Sequence, residues 1–294
     1  MKFSMSLLLA LFLLFPLAAK TSAAPAPLEL TARTQYSTDS DGVKTTSTKL
    51  STENMDTPFT FSVYYNHLRQ RYESSINEYV LLVKWKRPLS KQETLTLWAG
   101  VLSNDIRTFV PAAFMYDRAF SDKSHLWVSA GRENIGTIRA NQLGLDRTNL
   151  SATFLHKPTD DTAWKLSGDQ WYYNDANQEQ KWKLGFTKRF SKRFDITAAY
   201  QYHSANFTRP GIYWVPQQEH AVTLAPRYMI PLGKESNLSL TFQQAVWARN
   251  KTGGINQYEI EVACNIGRLA AMYRRVHDGD YNSSNYSLEY KFRW

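Results

Sequence analysis

Period-two alternation, repeated in segments of about ten residues, constrains this chain more than any other feature. Phe59, Phe61, Val63 and Tyr65 alternate with Thr60, Ser62, Tyr64 and Asn66. Trp182, Leu184 and Phe186 alternate with Lys181, Lys183, Gly185 and Thr187. Phe194, Ile196, Ala198, Tyr200 and Tyr202 alternate with Asp195, Thr197, Ala199, Gln201 and His203, and Tyr258, Ile260, Val262 and Cys264 with Gln257, Glu259 and Glu261. Successive side chains of a strand point to opposite faces, so each segment is apolar on one side and polar on the other. Helical spacing fits none of them. About ten residues is also what a tilted strand needs to cross a bilayer. Strands in lipid must close on themselves, because an unpaired edge cannot face hydrocarbon. The predicted fold is all-β: a transmembrane antiparallel up-and-down β-barrel.

The breaks between segments support this. Short, turn-like breaks at Pro88–Gln92, Phe120–Lys123, Pro158–Asp161, Ser191–Lys192, Pro231–Glu235 and Ile266–Gly267 alternate with longer, more polar ones, among them Arg69–Asn77, Asn134–Asp146 and Ser204–Gln218. Short periplasmic turns and longer outer loops are the rule in such barrels. The strand cores fall near 28–37, 44–53, 58–68, 78–87, 93–103, 109–118, 124–133 and 147–156, then 162–173, 179–189, 193–203, 219–229, 236–247, 255–264, 268–276 and 283–294. That is about sixteen strands, an even number. Fourteen is the fallback, because the first two are weakest and Lys44–Leu50 has almost no apolar face.

Residues 1–23 read as a cleaved signal peptide, with Lys2, an apolar run over Leu7–Ala19 and small residues at Ser22 and Ala23. Residues 24–294 then form one barrel domain in the bacterial outer membrane. Its expected partners are the lipid bilayer, lipopolysaccharide and the outer-membrane assembly machinery. The terminal series Tyr286, Leu288, Tyr290, Phe292, Trp294 resembles the tail read by that machinery, with Tyr290, Phe292 and Trp294 as the assembly signal. The 17 Tyr and 9 Trp suit the two membrane–water interfaces. A formal charge of +9 raises nucleic acid as a partner, but export and the scatter of the basic residues argue against it. Cys264 is the only cysteine, so no disulfide forms within the chain. The six histidines show no metal-ligand spacing, and no cofactor motif is present.

With the apolar set facing lipid, the polar set faces a lumen that at sixteen strands holds water. The residues expected to contact solute there are Trp171, Lys183, Asp195, Gln201, Glu259, Glu261 and Glu289. Aromatic faces together with amide and carboxylate edges suit sugar rings, which present flat C–H faces and hydroxyl rims.

Three segments resemble the poly-N-acetylglucosamine export porins. They are Trp164–Trp182 (WKLSGDQWYYNDANQEQKW), Phe207–Ala221 (FTRPGIYWVPQQEHA), and the ending RRVHDGDYN followed by YSLEYKFRW. The resemblance implies a sixteen-stranded exporter of a biofilm-matrix exopolysaccharide. Two departures stand out. That family carries a tetratricopeptide superhelix before the barrel, and its lumen is expected to be acidic. Either a separate periplasmic scaffold supplies the first, or the substrate differs. Two alternatives to a transport channel remain. One is a barrel enzyme of the lipase, protease or acyltransferase kind, for which His277–Asp278 and His203–Ser204 are the adjacent pairs. The other is a structural or accessory barrel. The expectation is a channel without catalytic residues.

Overall fold

The computed structural model describes residues 28–40, 42–54, 58–70, 75–208, 212, 216–249, 252–278 and 281–293. The segment read as a signal peptide and Trp294 lie outside them. The first half comprises β1 (Leu28–Asp39), β2 (Lys44–Asn54), β3 (Phe59–Arg69), β4 (Ser75–Pro88), β5 (Glu93–Asn104), β6 (Thr108–Phe109), β7 (Ala112–Ser121) and β8 (Ser124–Asn134). A short helix α1 (Ile138–Gln142) precedes β9 (Asp146–Thr159), β10 (Thr162–Tyr173), β11 (Gln178–Arg189), β12 (Phe194–Ala205) and β13 (Gln218–Pro231). The chain finishes with β14 (Ser236–Arg249), β15 (Thr252–Ile266), β16 (Leu269–Asp278) and β17 (Tyr281–Arg293).

Every pairing is antiparallel between neighbours in sequence, and β1 pairs with β17 from Glu29↔Arg293 to Asp39↔Ser283, which closes the ring. β6 and β7 both pair with β5 in one unbroken register, Leu102↔Phe109 and Ala99↔Ala112. They are a single stave interrupted at Pro111, which has no N–H to give the ladder. The barrel therefore has sixteen staves, and the fourteen-stranded fallback is excluded. β1 and β2, the faintest in the sequence, are held by complete ladders on both sides. Thr46, Thr48, Leu50 and Thr52 make up the outward side of β2, and β-branched residues suit a pleated surface where local hydrophobicity is low.

The outside is apolar and uncovered. Leu97, Val101, Phe114, Leu166, Leu184, Val222, Leu224, Leu240, Ile260 and Leu288 are all exposed. A continuous apolar belt of this kind far exceeds the patches that water-soluble monomers tolerate, so it belongs against lipid. Aromatic residues flank the belt at both rims. Tyr65 and Tyr79 pair at one end, with ring centroids 5.3 Å apart, and Trp164 and Phe186 at the other, 4.6 Å apart.

The two ends differ. At the end where the chain termini lie, the connections 89–92, 122–123, 160–161, 190–193, 232–235 and 267–268 are short. Gly267 takes a positive φ of 55° in one of the three two-residue turns among them, a conformation that a Cβ would strain. The opposite end carries the long connections 135–145 and 206–217, together with short ones at 105–107 and 174–177. The first end is thus periplasmic and the second outer.

Candidate functional site: a polar lumen beneath a helical plug

Inward positions are those paired across strands with one another and alternating with the exposed apolar set. They divide the wall into arcs. From β3 to β8 it presents Tyr64, Leu82, Trp98, Met115 and Trp127. Lys49 lies 5.0 Å over the Tyr64 ring, and His125 stacks on Trp127 at 5.6 Å. From β10 to β13 the wall carries Lys165, Asp169, Trp171, Lys181, Lys183, Asp195, Gln201 and Arg227. From β14 to β17 it carries Gln243, Glu259, Glu261 and Glu289.

The seven residues expected to contact solute occupy inward register positions, and they do not converge on one site. Trp171 sits high on the wall with Arg147 5.4 Å over its ring, and its indole N–H is buried without a protein partner among the described residues. Lys183 and Gln201 stand side by side at mid-height. Asp195 is tied near the periplasmic end to Arg227, 2.6 Å away, and Glu259 to Arg274, 2.7 Å away. Glu261 lies opposite Arg274, and Glu289 opposite Arg33.

The connection 135–145 folds across the outer mouth. Its sequence explains its local form. Thr137 caps the helix by accepting from the Ala140 N–H at 3.1 Å, and Gly144, at φ 67°, ends it while the Leu145 N–H returns to the Ala140 carbonyl at 2.9 Å. A five-residue helix has no stability of its own, so tertiary contacts hold it. The Ile138 N–H donates to Gln70 in the β3–β4 connection at 3.1 Å, and the Thr137 hydroxyl to the Ile212 carbonyl in the β12–β13 connection at 2.6 Å. Counting β6 and β7 as one stave, β3 is the third and β12 the eleventh, half-way round a ring of sixteen. The helix therefore bridges opposite sides of the mouth. Ile138, Ala140 and Asn141 are buried.

Arg107, in the β5–β6 turn, is the hub of this plug. Its guanidinium donates to the Asn141 side-chain oxygen at 3.2 Å, to the Leu145 carbonyl at 2.6 Å and to Asn134. Asn141 also accepts from Asn104 and Asn134. Burial lowers the Arg107 pKa from its ordinary value, with the nearby Asp146 carboxylate working in the opposite direction.

Directly beneath the plug runs a polar belt through six consecutive strands. Glu133 of β8 accepts from Arg147 of β9 at 2.7 Å, and Arg147 donates to the Tyr173 hydroxyl of β10 at 3.1 Å. Tyr173 donates to Glu179 of β11. His203 of β12 lies between Glu179, at 2.6 Å, and Glu219 of β13, at 3.6 Å. The ring of Tyr173 also packs with Ile135 and Ala140 of the plug connection, so belt and plug form one unit. The sequence reading missed both. A partial signal was present: in five of these six strands the inward position nearest the outer end is an ionisable residue, whereas in β12 it is Ala205, with His203 one inward position below.

The adjacent pairs considered for catalysis do not assemble. His203 faces the lumen while Ser204 points outward to Gln180, and His277 bonds Asn282. Ser124 and His156 do touch, 2.9 Å apart, but beside a periplasmic turn and with no carboxylate on the other ring nitrogen among the described residues.

No family model matches the chain, and no curated protein matches its sequence. Solved structures match its fold. A barrel described as a "Bacterial polysaccharide outer membrane secretin" is 13% identical, with a TM-score of 0.71 over 92% of this chain and 100% of that one. Acinetobacter baumannii OccAB1 is 11% identical, with a TM-score of 0.55 over 94% of this chain and 98% of that one. Pseudomonas aeruginosa OccK3 (OpdO) is 11% identical, with a TM-score of 0.53 over 91% of this chain and 96% of that one. The chain is a closed transmembrane β-barrel of the bacterial outer membrane.

Proposed function

We propose that this barrel is an outer-membrane channel that passes a polysaccharide, with the connection 135–145 as its gate. The observation that carries the proposal is the lumen wall. Ring faces at Tyr64, Trp98, Trp127 and Trp171 lie among hydroxyl, amide and charged side chains from the periplasmic end up to the plug. Aromatic faces meet the C–H faces of sugars, and the polar groups exchange hydrogen bonds with their hydroxyls. Many weak contacts along a wall let a polymer slide, whereas one deep pocket would hold it. The likeness to a polysaccharide secretin barrel supports this reading, as does the resemblance of Trp164–Trp182 and the closing hairpin to exopolysaccharide export porins. The biofilm-matrix assignment, the signal peptide and a separate periplasmic scaffold belong to the same proposal.

While the plug bridges the mouth, a polymer has no straight path out. Replacing residues 136–144 with a short glycine–serine turn opens the channel in this reading. In planar bilayers the replacement is expected to raise single-channel conductance severalfold, and soluble glycan oligomers added on the periplasmic side then reduce it. Unchanged conductance together with no glycan effect would support the structural-barrel reading instead.

A further inference from the structure

The charges of the lumen are unevenly compensated. On the acidic arc the three glutamates each have a cation beside them, with Arg274 shared by two: Glu259 is paired with Arg274, Glu261 faces Arg274, and Glu289 faces Arg33. On β10 and β11 the reverse holds. Lys165 is flanked by Gly185 and Leu155, and Lys183 by Ser167 and Gln201. Lys181 faces Asp169, whereas Lys165 and Lys183 face no carboxylate, and none of the three lysines forms an ion pair within 4 Å among the described residues. Both Lys165 and Lys183 are exposed to the lumen.

Their placement follows the channel axis. Lys181 and Lys183 are successive inward positions of β11, and Lys165 stands across from Gly185, the next inward position below. Inward positions on a strand repeat at about 7 Å, so the three lysine positions step down the wall at roughly that interval. Gly185 contributes no side chain, which leaves the Lys165 stem room to lean towards that column. A row of three cations faced by one carboxylate, Asp169, leaves a net positive charge that raises the free energy of the empty lumen, and a ligand with repeated negative charges lowers it.

We infer that Lys181, Lys183 and Lys165 form a binding ladder for a polyanionic glycan with carboxylates on successive sugars. This rests on the polysaccharide-channel reading and names its substrate class. The lysines supply the attraction, and the aromatic arc from β3 to β8 supplies charge-independent contact with the rings.

The test uses the folded barrel in lipid nanodiscs with three probes: oligogalacturonate, a neutral maltodextrin and a cationic chitosan oligomer. Calorimetry is expected to show oligogalacturonate binding most tightly and weakening as salt is raised. Replacing the three lysines together (Lys165→Gln, Lys181→Gln, Lys183→Gln) should weaken that binding about tenfold and leave maltodextrin unchanged. Retained heat-modifiable migration on gels shows that the variant folds. Should it fail to fold, Ser167→Glu sets a carboxylate beside Lys183 from the neighbouring strand, with the same expected loss. Chitosan or maltodextrin binding as tightly as oligogalacturonate, or undiminished oligogalacturonate binding by the variants, overturns the anionic assignment while the polysaccharide channel stands. No binding of any of the three probes removes both.

Discussion

Arg107 shows how much of the mouth one residue holds. Its guanidinium serves two amide side chains and one carbonyl of the plug connection, and loss of a charged hydrogen-bond donor from a partly buried network costs about 2–3 kcal/mol. The Arg107→Ala variant is therefore expected to lower the stability of the barrel by at most that amount in urea-titrated unfolding. It should also produce frequent large openings in single-channel recordings, because the guanidinium ties both Asn141 and the Leu145 carbonyl of the connection to the β5–β6 turn. Wild-type gating in that variant would mean that the contacts to Gln70 and Ile212 suffice to keep the plug in place. Gly168 displays a different residue-scale device. It faces Trp182 across the β10–β11 ladder, and the indole ring lies over the space that a Cβ would fill, so an aromatic residue covers the bare backbone that glycine leaves on the lipid side.

At the scale of the element, the strand faces are unequal in what they tolerate, and this can be measured. Ser287 and Leu288 are neighbours on β17 and point to opposite sides, with Ser287 across from Met272 in the lumen and Leu288 exposed to lipid near the middle of the strand. Leu288→Arg is expected to cost about 2–4 kcal/mol in folding into vesicles, and Ser287→Arg less than about 0.5 kcal/mol. Equal costs would mean that the alternation does not separate lipid from water. The same alternation is why the sixteen strands were readable in advance. Two media on two sides of a thin wall print a period of two on any sequence that spans it. Even the face of each of the seven lumen residues follows from that parity. The interruption at Pro111 and the fold of 135–145 do not, because they depend on where loops meet across the mouth. Thr137 and Gly144 mark a helix in the sequence, but Gln70 and Ile212, its anchors, are about seventy residues away on either side. The belt from Glu133 to Glu219 left only a scattered trace, single ionisable inward residues near the outer ends of separate strands, and their pairing is not local. It exists only because six strands end level with one another at the outer rim.

For the molecule as a whole, the folded state is defined by its solvent. The described residues contain few buried apolar side chains, and the small clusters around Val80 and Ile135 line the lumen and plug. The usual source of stability, an apolar core shielded from water, is therefore displaced to the outer surface, where only lipid or detergent can cover it. What closes the ring is the β1–β17 ladder, which joins the two ends of the chain. This pairing leaves no open edge to recruit other chains, and it joins the residues of the sheet that lie farthest apart in sequence. In buffer without detergent, the chain from residue 24 onward is expected to aggregate through its lipid-facing strands and show no heat-modifiable species. In phosphatidylcholine vesicles it should refold to a monomer resistant to protease. Cross-linking cysteines placed at Ala32 and Tyr290, which face each other across the closing ladder on the lipid side, should join only in the vesicle-folded sample. Disulfide formation there in plain buffer, with the protein monomeric, would show that the barrel closes without a bilayer and would separate its stability from the apolar belt.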